Sequence, residues 1–113
     1  MASNLNITQL LQSMLDAAAP KLQKAWPEAK DYATVEFKKY LMQVEHIEEM
    51  KLAKKITEEK ATFLLDMQRN SMRSVLLTVE GLGLLAVEAA INAALDAVRD
   101  AINTAIGGGW KVL

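Results

Sequence analysis

Cysteine is absent from the 113-residue chain and histidine occurs once, at His46. The first absence removes disulfides, thiolate zinc sites and thiol nucleophiles, and the second removes any site that needs two imidazoles from one chain. With two prolines and five glycines, few positions are committed to turns or breaks. Aromatic residues make up 5% of the sequence, so the core is expected to be aliphatic, with six methionines available to fill irregular gaps. An excess of either charge is also missing. Thirteen Lys and Arg stand against 14 Asp and Glu, a net charge of -1, which provides no positive field to gather phosphates, and nucleic acid is not an expected partner. The segment Met1 to Asn6 lacks the basic n-region and apolar run of a secretory signal. Glu80, Glu88, Asn92, Asp96, Arg99 and Asp100 interrupt the most apolar third, so no window reaches the roughly 18 to 20 apolar residues of a spanning helix. These features predict a cytoplasmic protein or part of a soluble assembly, without signal peptide or transmembrane helix.

What is present is helix-forming. Hydrophobic residues account for 51% and charged residues for 24%, the balance of one folded domain. Seventeen residues are alanine, eight of them between Ala86 and Ala105, and alanine is the strongest helix former. The expected fold is all-α: a long helical hairpin or bundle with a short kinked N-terminal helix, completed by oligomerisation. The first helix is expected over about 6–25, with Asn6 as N-cap and a kink or stop at Pro20. Pro27 suits the first turn of the next. From Glu28 to Glu80 there is no Gly or Pro in 53 residues, a rod of roughly 80 Å if unbroken. The expected break is at Asn70 or Gly81, giving a charged helix over about 28–69 that packs back on a second helical region over about 71–106, with the N-terminal helix covering part of the groove. Residues 1–106 form the expected domain. Gly107 to Gly109 should end the last helix and leave 107–113 as a flexible tail.

Within the alanine-rich helix, Leu84, Val87, Ile91, Ala94, Val98, Ala101 and Ala105 make a heptad-like seam. A second apolar stripe, Leu82, Leu85 or Ala86, Ala89, Ala93 and Ala97, lies beside it. A helix apolar on two faces needs cover on two sides. The seam is therefore expected to be the interface of a homo-oligomer, with the central helix of a monomeric four-helix bundle and contact with a membrane surface as the alternatives. In the tail, Trp110, Val112 and Leu113 could anchor in a protein partner's groove, or the tail could be a frayed end.

Catalytic chemistry finds little support. Glu45, His46 and Glu49 have metal-ligand residue types, but Gln43 stands where a Glu-x-x-His pair would need a glutamate, and no second histidine completes a di-iron set. Ser71 or Ser74 with His46 lacks a nucleophile elbow. Gly81-x-Gly83 and Gly107 to Gly109 lack the rest of a nucleotide loop. Lys51, Lys54, Lys55 and Lys60 alternate with acids as a solvated face does. The expectation is a non-enzymatic structural or interaction protein with no catalytic residue, metal or cofactor. A lipid-surface or pore-forming protein using Leu82 to Ile106 is the alternative, and a carboxylate-rich metal bundle ranks below both.

Overall fold

A computed structural model describes residues 5–107, 109–110 and 113. All regular structure among them is helical: α1 (Ile7–Leu22), a 3-10 turn (Gln23–Ala25), α2 (Trp26–Leu52), α3 (Glu58–Leu76) and α4 (Leu84–Ile106). The chain occupies 44 × 24 × 20 Å with a radius of gyration of 14.0 Å, so the long central segment is folded back on itself.

Local chemistry sets each boundary. The Asn6 side chain accepts from the Gln9 amide at 3.1 Å and opens α1. Pro20 falls in the last turn of α1, and the helix runs two residues past it. Gln23 then takes φ 48° and turns the chain. Pro27 lies in the first turn of α2, where a missing amide hydrogen costs no helical bond.

The expected rod is broken twice, and one of the breaks lies where no Gly or Pro marks it. α2 ends at Leu52 through two backbone bonds, Lys54 N–H to Lys51 C=O at 3.0 Å and Lys55 N–H to Met50 C=O at 2.9 Å. This pair is a Schellman motif, and its left-handed residue, normally glycine, is Lys54 at φ 58°. Thr57 opens α3 by accepting from the Lys60 amide at 3.2 Å, with Glu58 and Glu59 in the first turn. Asn70, a candidate break, sits inside α3 and accepts from Arg73 at 2.7 Å. The other candidate is used: Gly81 adopts φ 87° in the α3–α4 connection, a conformation that favours a residue without Cβ.

α1 packs most extensively against α4 and then against α2, while α2 also carries α3. The N-terminal helix is thus the principal cover of the alanine-rich helix. The core runs through Met14, Leu15, Ala18 and Leu22 of α1, Phe37, Tyr40, Leu41, Val44 and Ile47 of α2, Leu65, Met72 and Leu76 of α3, and one stripe of α4. Glu36 is buried between α2 and α3, where it accepts from the Ser71 hydroxyl at 3.1 Å and from Lys39 at 3.3 Å.

Lys54 holds a conformation that costs a side-chain-bearing residue roughly 1 kcal/mol or more. Lys54→Gly should therefore raise stability by about 1 kcal/mol. Urea unfolding at constant m-value would show it as a higher midpoint, and an unchanged or lower midpoint would mean that the turn is not built this way.

Candidate interaction surface

The seam expected to join subunits is filled mostly from within the chain. Val87, Ile91, Ala94 and Val98 are buried, as are Ala90, Leu95, Ile102 and Ile106; Ala101 and Ala105 are half-buried, and only Leu84 lies open, at 56% exposure. Four of the seven seam residues thus face the chain's own helices, while Leu84, Ala101 and Ala105 keep accessible surface. On the adjacent stripe Ala86, Ala89 and Ala93 are half-buried, while Ala97 and Leu85 are exposed. The two-sided cover inferred from the apolar count is not needed, because alanine contributes helix propensity with little area to hide.

Apolar surface does remain elsewhere. Tyr32, Val35 and Met42 on α2 and Phe63 and Met67 on α3 are each at least half exposed, with Phe63 at 60%. The Ser71–Glu36 hydrogen bond sets the register of α2 against α3, whose end-to-end connection makes them antiparallel. At 1.5 Å per residue the five side chains then fall within roughly 18 Å along the helix axes. They share the outer side of the α2–α3 pair, with Lys39, His46, Asn70 and Ser74 exposed among them.

Between α3 and α4 the join is polar. Arg69 donates to Asn92 and pairs with Glu88 at 3.9 Å, and Arg73 pairs with Glu88. Two arginines four residues apart on α3 meet two acceptors four residues apart on α4, so the antiparallel register is matched at both levels. Arg73, through its hydrogen bond and then its charge, holds the Glu88 carboxyl below the ordinary value of 4.5, and Arg69 adds to this. Beside this join lies a cleft of about 450 Å³ lined by Asp66, Arg69, Asn92, Leu95, Asp96, Arg99 and Leu113. Beneath, burial pushes the Tyr40 phenol far above its usual range, so it stays neutral.

Of the tail expected to be a free tether, the described residues Gly107, Trp110 and Leu113 contact the helices. Gly107 turns the chain at φ 65°. Lys51 donates to the carbonyls of Ile106 at 2.9 Å and Gly107 at 2.5 Å, and stands 4.6 Å from the centre of the Trp110 ring. A lysine of α2 thus satisfies the open carbonyl end of α4, which has no basic residue in its own last turn. Leu113 exchanges two 3.4 Å bonds with the Asn103 amide, and both Trp110 and Leu113 pack against the core. Val112 lies outside the described residues.

The chemical candidates are not brought together. His46 and Glu49 are exposed and Glu45 is half-buried, and among the described residues no group of three or more His, Asp or Glu is arranged to hold a metal ion. Ser71 is engaged by Glu36, and His46 lies ten residues further along α2, roughly 15 Å away along the axis. No helix among the described residues is long and apolar enough to cross a membrane. Comparison of the chain with protein-family models, curated proteins and solved structures found no match.

The depressed Glu88 carboxyl ties stability to pH. Its stabilisation is complete above about pH 4.5 and is lost as pH falls through its lowered folded value. Melting of wild type and Glu88→Gln should differ at neutral pH and converge in acid; a constant difference down to the lowest pH would show that the Arg73 pair does not form.

Proposed function

We propose that this chain is a non-enzymatic interaction protein that self-associates through the outer face of α2 and α3. The observation carrying this reading is the concentration of Tyr32, Val35, Met42, Phe63 and Met67 on that face. Five of the nine large hydrophobic side chains left exposed in the described residues are there, a density that isolated surface leucines do not reach. Covering the exposed half of a side chain of this size yields roughly 1 kcal/mol. A self-complementary patch around a two-fold axis would bury each of the five twice. The interleaved Lys39, His46, Asn70 and Ser74 supply the polar ring that such an interface has around its apolar anchors.

The reading keeps the oligomer expected from composition and moves its interface. The α4 seam serves the monomer's core, and the face opposite it serves association. A chemical step has no support in the arrangement of His46 and the serines.

Light scattering during size exclusion tests this. Wild type should elute with at least twice the 12.5 kDa chain mass, and Phe63→Glu with Met67→Glu should reduce it to one chain while leaving helix content and melting unchanged. A wild-type mass of one chain at tens of micromolar, or an unaltered mass in the double variant, would remove the proposal.

A further inference from the structure

Two residues beyond α4 are seated by side chains from elsewhere in the fold. The Trp110 ring lies over the Lys51 ammonium of α2, and the Leu113 backbone meets the Asn103 amide of α4 in both directions. Leu113 also walls the cleft between α3 and α4 that Asp66, Arg69 and Leu95 line. Both anchors are half-buried, and neither belongs to the fully buried core. Trp110 borders a shallow cavity of about 300 Å³ together with Asn103 and Thr104. The seat is thus made by α2, α3 and α4, which their own core holds in place. Among the described residues, one contact depends on which chain the anchors belong to. Trp110 N–H donates to the Gly107 carbonyl at 3.2 Å, closing a turn in which Gly107 takes φ 65° and Gly109 takes φ 81°. Both values suit glycine and strain a residue with Cβ.

We propose that this seat is shared between copies: the segment carrying Trp110 and Leu113 swings out at the Gly107–Gly109 turn and occupies the seat of a second copy, which returns its own. The seat names its occupant, because it already holds this segment, and Lys51, Asn103 and the α3–α4 cleft are the same in every copy. Exchange of an identical element keeps each of these contacts and gives up only the turn. In one chain the short tether favours the closed form, since it holds the tail near its seat at an effective concentration of about 1 mM. Exchange therefore grows as the chain concentration approaches that value. Each exchanged site is completed by residues of two copies, a linkage separate from the outer face of α2 and α3.

Gly109→Val tests the proposal. A Cβ there meets nothing within 4 Å, so the substitution acts through the left-handed φ alone and should disfavour closure roughly ten-fold. With Phe63→Glu and Met67→Glu also present, so that the other face adds no mass, light scattering should approach twice the 12.5 kDa chain mass at about 0.3 mM and fall to one chain at about 10 µM. The same background with Gly109 retained should stay near one chain at both concentrations. Adding Trp110→Ser to the Gly109→Val chain should restore the single-chain mass, since the exchanged anchor is lost. A single-chain mass of the Gly109→Val chain at 0.3 mM, or a doubled mass that survives Trp110→Ser, would overturn the proposal. A background that remains associated counts against the α2–α3 face alone, and Trp110 emission then still reads exchange. In Trp26→Phe chains, where Trp110 is the remaining indole, emission of the Gly109→Val variant should shift to the red on dilution. Emission that does not change with concentration would overturn the proposal as well.

Discussion

The burial of one α4 stripe against α1 is the constraint on which the other features depend. Ala90 and Ala94 on α4 and Ala18 on α1 are fully buried, and side chains of one methyl let helix axes come close while Met14, Leu15, Ile91 and Val98 fill the remaining space. This contact uses the richest apolar seam in the sequence for the monomer's own core. Among the described residues, the large apolar side chains left exposed lie on the outside of α2 and α3, at Leu52, and where α3 ends and α4 begins.

Polar contacts then hold the periphery to that core. Arg69 and Arg73 fasten α3 to α4 at one level, and Lys51 closes the carbonyl end of α4 at the far end of the molecule. Partly exposed contacts of this kind contribute modestly to stability, and their consequence is register. They determine which side chains of α3 face inward and leave Phe63 and Met67 outside.

How much of this was legible in the sequence varies with the kind of signal. The caps and breakers with strong chemistry were readable: Asn6 before α1, Pro27 in the first turn of α2, Gly81 in the last connection and Gly107 after α4. The break between α2 and α3 was not, because Lys54 occupies a position where glycine is the usual mark. Its one sequence trace was Thr57 followed by Glu58 and Glu59, an N-cap with an acidic first turn. Asn70 misled in the opposite sense, since a residue tolerant of a cap is equally able to sit in mid-helix. For the surface, periodicity identified the α4 seam but not its partner, and α1 proved long enough to cover it. Met67 is apolar yet lies outside, because the interior of α3 follows Ala61, Leu65, Met72 and Leu76. The matched spacing of Arg69 and Arg73 with Glu88 and Asn92 was visible and would have given the register of α3 on α4.

The claim that the chain alone shelters α4 is tested most directly by amide hydrogen exchange measured across a range of protein concentrations. The account predicts that amides from Ala90 to Ile102 are among the slowest in the molecule and that their protection is unchanged on dilution to the single chain. Protection of this stretch that falls away as the chains separate would mean that other copies cover the helix, and would contradict the account.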